Sequence, residues 1–291
     1  LLGEVVMEPE KVAPYFGTVE KPECHMLYNV TTMATTWNTV ATRDVRLLRK
    51  QMDIVCSLPK EYTFLNYLRC HDDIGWGLDY ATLSEWGMKE VPHKKYLNDY
   101  FLGRTEGSVS RGELYNEDPV TGDARFCATT ASMCGIESAG FEQDEEKMER
   151  AVGKDIMLHA YMFTQSGIPM LYSGDEVGQV NDYTYKDDPD KAPDSRYIHR
   201  GKFCWDLAEN IEKEGSVQEK IFHALTRLEE IRRNHAVFSA DAEVYTKDYS
   251  DTSILWIVRK AEGRELHAVF NFSDEEKEIW MPEVTEYTDL L

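Results

Sequence analysis

The chain has no uninterrupted apolar run near the ~20 residues a bilayer crossing requires, so no stretch reads as a transmembrane helix. It is poor in positive charge. Thirty-two Lys and Arg stand against fifty-three Asp and Glu, a formal net charge of −21. That surface repels nucleic acid and anionic membranes, and neither is expected as a partner. The six cysteines, at 24, 56, 70, 127, 134 and 204, form no CxxC pair. A chain of this size needs no disulfide framework, which points to free thiols and a cytoplasmic setting. There is no low-complexity tract, no internal repeat and no signal-peptide pattern. An initiator Met is also missing, and Leu1-Leu-Gly-Glu4 opens directly in an apolar strand. The end, Glu286-Tyr-Thr-Asp-Leu-Leu291, stops without a turn. Both ends read as cuts in a longer chain, since an apolar strand edge at residue 1 invites aggregation.

With 42% hydrophobic and 29% charged residues over 291 positions, the composition supports a large core and about two domains. Cys24 to Val30 reads as a strand, followed by one long helix from Thr31 to Leu58 that Pro59 ends. Tyr62 to Arg69 reads as the next strand, and Asp79 to Gly135 as an excursion of short helices and loops. Glu145 to Ser166 is helical, Met170-Leu-Tyr172 a strand, and Val217 to His235 a further helix. The period then turns to alternation at 253–258, 266–272 and 278–281, which reads as antiparallel strands. The expected class is therefore α/β, half of a TIM barrel over residues 1–236 with part of a β-sandwich domain over 237–291.

Polar groups recur where the barrel strands end. Glu4 follows the first, His71-Asp72-Asp73 the third and Asp175-Glu176 the fourth. In a β/α barrel these ends share one face, on which active sites are built. Two adjacent carboxylates repel, so they must be solvated or paired. Such a cluster suits a polyol and a developing positive charge. Cleaving a glycosidic bond needs one carboxylic acid to protonate the leaving oxygen and a second carboxylate as nucleophile. Glu4, between apolar neighbours, suits the acid.

Three stretches, Glu4-Val-Val-Met-Glu-Pro-Glu10, Asn66-Tyr-Leu-Arg-Cys-His-Asp-Asp-Ile-Gly-Trp76 and Gly167-Ile-Pro-Met-Leu-Tyr-Ser-Gly-Asp-Glu-Val-Gly178, resemble successive regions of the α-amylase family, glycoside hydrolase family 13. Thr121-Gly-Asp-Ala-Arg125 and Asp188-Pro-Asp-Lys-Ala-Pro-Asp-Ser-Arg196-Tyr-Ile-His-Arg200 resemble its amylosucrase branch. The resemblance runs from the fifth barrel strand into the C-terminal β-domain. It implies the C-terminal half of a (β/α)8 barrel, strands 5 to 8, followed by an antiparallel β-sandwich. It implies Glu4 as general acid/base, Asp72 as the carboxylate that stabilises the oxocarbenium-like transition state, and His71 on the same glucosyl ring. Asp73, Arg125 and Glu23 would line the acceptor side, and Arg196 would pair with an acid to close the glucosyl pocket. The family's nucleophile, an Asp on the fourth strand, has no counterpart among these residues. Cys70 stands where the amylosucrase pattern more often has Ser.

The implied reaction is double displacement on sucrose or a related small α-glucoside, with water, an α-glucan or phosphate as acceptor and no cofactor. The alternatives are a sucrose phosphorylase- or α-glucosidase-type enzyme, and a catalytically inactive piece that awaits the other barrel half. Other candidates have plainer readings. Asp175-Glu176 suits a loop organiser, His25 a strand histidine and His159 a helix histidine, and Trp37, Trp256 and Trp280 suit the core. The acidic run from Asp182 to Asp194 reads as a solvated loop, with a Ca2+ site as the weaker reading and no metal expected.

Overall fold

The computed structural model describes residues 1–7, 9–281 and 286–291. The strands are β1 (Leu2–Gly3), β2 (Met26–Tyr28), β3 (Thr63–Asn66), β4 (Ile74–Gly75), β5 (Glu113–Tyr115), β6 (Arg125–Cys127), β7 (Ile168–Pro169), β8 (Glu243–Lys247), β9 (Ile254–Ala261) and β10 (Arg264–Asn271). β1, β2, β3 and β7 form one parallel sheet in that order, with Leu2 opposite Met26, Leu27 opposite Phe64 and Leu65 opposite Ile168. Parallel neighbours require crossovers, and helices supply them. The elements thus follow the expected half-barrel, with shorter strands. The fourth barrel strand sits at Ile168–Pro169, two residues ahead of the expected Met170–Tyr172.

The long helix expected from 31 to 58 is two helices, Val30–Thr42 and Arg46–Ser57. Arg43 breaks it by taking a left-handed conformation, φ 58°, from which its N–H closes on the Thr39 carbonyl at 2.7 Å. Residues 31–41 are buried throughout. A threonine-rich helix survives there because most of its hydroxyls are satisfied locally: Thr35, Thr36 and Thr39 donate to the carbonyls four residues earlier, and Thr31 donates to the Met7 carbonyl. From this helix Trp37, fully buried, donates its indole N–H to the Leu68 carbonyl at 2.7 Å and pins the segment leaving β3. The helix Glu145–Thr164 starts at Asp144, whose carboxylate accepts from the Lys147 N–H at 3.0 Å.

The excursion after Asp73 holds a small antiparallel sheet, β4-β6-β5, that the sequence pattern did not signal. Trp76 anchors it. Its indole donates to Asn98 at 2.8 Å and its ring stacks on Phe101 at 5.3 Å. Register places Gly75 opposite Arg125. A Cβ at Gly75 would lie 3.1 Å from the Arg125 guanidinium, so the glycine leaves room for that arginine.

In the C-terminal region, 254–261 and 264–271 form strands as expected. β8 is an addition, and 278–281 forms none, while 282–285 lies outside the described residues. The described residues supply one three-stranded antiparallel sheet, β10-β9-β8, without the second layer of a sandwich. It shares its core with the barrel helices: Tyr161 meets Phe270 edge-on at 5.9 Å, and buried Arg259 donates to the carbonyls of Val237 and Thr164. Trp37 and Trp256 are core residues as expected, whereas Trp280 is 76% exposed because the strand that would bury it does not form.

Candidate active site at the strand ends

Asp72 and Asp73 leave β3 in a turn closed by their own backbone: the Asp73 N–H donates to the Asp72 carboxylate at 2.9 Å. Cys70 is buried, and its sulfur accepts from the Asp72 N–H at 3.4 Å, an acceptor role that a serine hydroxyl would also fill. Two arginines converge on Asp72. Arg196 donates to Oδ1 at 3.1 Å, and an Arg200 nitrogen stands 3.8 Å from the same oxygen. Arg200 also donates to the His71 carbonyl. Burial opposes ionisation of Asp72, yet the Asp73 N–H and the Arg196 and Arg200 guanidiniums outweigh it and hold this carboxyl below the usual range.

Asp73 behaves oppositely. Burial and the adjacent Asp72 charge push its carboxyl up to about 6, against the pull of Arg125 at 3.6 Å and of Arg196. Asp72 is therefore ionised well below neutrality, whereas Asp73 keeps its proton through the acid range and gives it up as pH rises through about 6. Such a split is how acid and base roles are divided between like groups.

Arg196 does pair with acidic residues, and both are in this chain. Asp194, two residues before it, takes a bidentate pair at 2.8 and 2.9 Å, and Asp72 takes the remaining nitrogen. Arg196 also lies over the Tyr115 ring at 5.1 Å. Asp194 accepts from the Arg196 N–H as the cap of the short helix Ser195–His199, which fixes the direction of the side chain. Two other acids of the 182–194 loop are engaged as well: Asp182 caps Thr184, and Asp188 pairs with Lys191 at 2.8 Å.

Glu4 follows β1, is exposed, and is held by no hydrogen bond or ion pair among the described residues. Its charge nonetheless reaches Tyr28, Tyr67 and Cys70, whose acidities burial lowers first and the neighbouring negative charges lower further. Glu4 thus shares the strand-end face with β2 and β3, where Tyr28 and Tyr67 meet edge-on at 5.3 Å. Sequence reasoning missed both tyrosines. Glu23 is not brought to this face. It precedes β2, lies exposed and pairs with Lys21 at 3.3 Å, and since β1 and β2 are parallel this puts it beyond the strands' N-terminal ends. His71 is exposed, with its backbone rather than its ring held.

A further group was also missed. Arg69, 2% exposed, pairs with Asp175, 3% exposed, at 2.7 Å. That contact fits the expected organising role of Asp175, and Glu176 accepts from the Gly174 N–H in the same loop at 2.7 Å. His159 is buried in its helix, 3.0 Å from Asp155. Nothing in one sequence pairs residues 69 and 175. The Asp-Ser-Arg cap at 194–196, by contrast, was there to be read.

No family model matches the chain. Among curated proteins it is similar to the glucosylglycerate phosphorylase of Escherichia coli strain K12, 26% identical over 263 residues, covering 89% of this chain and 43% of that protein. Among solved structures it is similar to sucrose 6F-phosphate phosphorylase from Thermoanaerobacter thermosaccharolyticum, with a TM-score of 0.64 and 16% identity over 94% of this chain and 46% of that one. It is also similar to the α-amylase from H.orenii, with a TM-score of 0.53 and 14% identity over 94% of this chain and 43% of that one. The structural likenesses show the fold, a partial barrel of the kind these enzymes carry. The chain spans less than half the length of the curated relative it matches.

Proposed function

We propose that residues 1–236 supply the acid/base and charge-stabilising side of a retaining α-glucosyl-transferring site, with 237–291 as an appended β-domain. The observation that carries this reading is the arginine clamp at the end of β3, where Arg196 and Arg200 hold Asp72 ionised beside Asp73, whose carboxyl is pushed up to about 6. A fixed carboxylate facing a sugar ring stabilises positive charge as the ring flattens toward an oxocarbenium ion. Glu4, on the same face, donates a proton to the glycosidic oxygen and later takes one from the acceptor. The nucleophile that attacks the anomeric carbon comes from outside these residues. His71 and Arg196 hold the glucosyl unit, Asp73 and Arg125 the acceptor side. Glu23 has no part, given its place at the other end of β2. The donor is a small α-glucoside, sucrose in the amylosucrase-like form of the reading.

A second reading makes phosphate the acceptor. Three arginines, 125, 196 and 200, gather at this face of a chain with net charge −21, and guanidinium forks suit phosphate oxygens. Both the curated relative and one of the structural neighbours are phosphorylases.

One assay tests both. The chain, extended upstream to the length of its relatives, is incubated with sucrose or glucosylglycerate, with and without inorganic phosphate. Glucosyl transfer is expected, falling by about 100- to 10,000-fold in Glu4→Gln. Glucose 1-phosphate formed only with phosphate selects the second reading. No transfer from either donor, or indifference to Glu4→Gln, overturns the proposal.

A further inference from the structure

Arg69 lies two residues before His71, and its side chain is buried in the interior against Asp175. Its guanidinium reaches three ways at once: Nε to the Asp175 carboxylate at 2.7 Å, Nη1 to the His199 carbonyl at 3.2 Å, and Nη2 to the Ser173 carbonyl at 3.3 Å. The Tyr172 ring lies 4.6 Å from its carbon. A buried ion pair is a weak stabiliser, because desolvation offsets the attraction and an apolar pair of similar size often does as well. The geometry suggests another use for the charge.

The contacts cross. Arg69, on the segment leaving β3, donates to the carbonyl of His199, and Arg200, beside His199, donates back to the carbonyl of His71 on the β3 segment. One strap is buried and the other lies at the surface. Between them the straps fix how far the helix Ser195–His199 stands from the β3 end, and that helix carries Arg196. The third link, Arg196 to Asp72, is the one that sets charge in the site. The His199 ring does not compete for Asp175. Burial and the nearby Arg69 charge push it down to about 3, so it stays neutral.

We propose that Arg69 is a positioning residue, which fixes through its contacts with His199, Ser173 and Asp175 the separation at which Arg196 meets Asp72. The inference rests on the glucosyl-transfer reading for its purpose, but its geometry stands in the chain alone. Lysine does not replace the arginine, since a single ammonium cannot serve three fixed directions.

The test uses the 291-residue chain and reads carboxyl titration by carbon-13 NMR. Asp72 faces Arg196, Arg200 and Asp73, and Asp73 faces Asp72, Arg125 and Arg196. In Arg69→Lys, the Asp72 midpoint is expected to rise by about one pH unit as Arg196 withdraws. The paired variant Arg69→Met with Asp175→Leu leaves no lone buried charge and is expected to give the same rise with the far-ultraviolet dichroism of the parent. An unchanged Asp72 midpoint in either folded variant, whatever its melting temperature, overturns the proposal and leaves a merely structural pair. In the unaltered chain, the Arg69 Nε–H is expected to exchange with solvent at least about ten times more slowly than that of exposed Arg104, and equal rates overturn it too. Failure of glucosyl transfer in the extended chain touches none of these readouts, so the two proposals fall separately.

Discussion

Glu4 leaves β1 into solvent with no hydrogen bond or ion pair among the described residues, whereas Asp72 leaves β3 into a clamp of two arginines braced from beneath by a third. Both residues follow parallel strands of one sheet, so backbone topology alone does not explain the contrast. The β3 end is built from segments far apart in the chain: 69–73, 125, 173–175 and 194–200 all converge on it. Among the described residues, the β1 end borrows the nearby tyrosines and one backbone anchor, the Thr31 hydroxyl donating to the Met7 carbonyl. Preorganisation is therefore uneven. On the proposed reading, this chain grips the charge-stabilising carboxylate Asp72, while Glu4, the proposed acid/base, is placed but not gripped.

The harshest way to break the comparison is Trp76→Ala, which removes the anchor just beyond Asp73. A buried tryptophan truncated in this way costs about 3–5 kcal/mol, to be read by denaturant unfolding, while Val6→Ser at the β1 end is expected to stay within about 0.5 kcal/mol. Equal losses would erase the asymmetry. Asp72→Asn comes next: in the extended chain, glucosyl transfer is expected to fall by about 100- to 1,000-fold with little change in melting temperature, the mark of a group that works on the transition state.

Asp73→Asn sharpens the picture through pH. The folded Asp73 midpoint of about 6 lies above the ordinary 3.8, so its contribution to stability is full below about 3.8 and is lost as pH rises through 6. Asn does not titrate. The variant is therefore expected to melt higher than the parent at pH 8, with the advantage shrinking as pH falls through 6 toward 4; a pH-independent difference would contradict the assignment. The smallest effect belongs to Gly75→Ala, whose Cβ would lie 3.1 Å from the Arg125 guanidinium. Displacing Arg125 removes part of the pull on Asp73, and its midpoint is expected to rise by a few tenths of a pH unit.

How much of this was legible in the sequence follows the same divide. His71-Asp72-Asp73 and Arg196 could be picked out because each lies in a contiguous motif, and the half-barrel because helical and strand periods alternate. Local signals carried less far where a distant partner decides the outcome. Arg69 and Asp175 are 106 positions apart, and β4-β6-β5 joins 74–75 to segments forty to fifty residues on. The break at Arg43 needs a positive φ at a residue type that rarely takes one. Trp280 alternates like a buried strand residue, yet no described strand pairs with it. Glu23 fits a motif position while the fold carries it to the other end of β2.

The central claim is that this chain separates the titrations of two adjacent carboxyls, with Asp72 held low by its own arginines and Asp73 raised by burial and the Asp72 charge. Site-resolved carbon-13 titration of Asp72 and Asp73 in the 291-residue chain tests it most directly. The account predicts an Asp72 midpoint below the ordinary 3.8 and an Asp73 midpoint at about 6. Two midpoints together at the ordinary carboxylate value would contradict it.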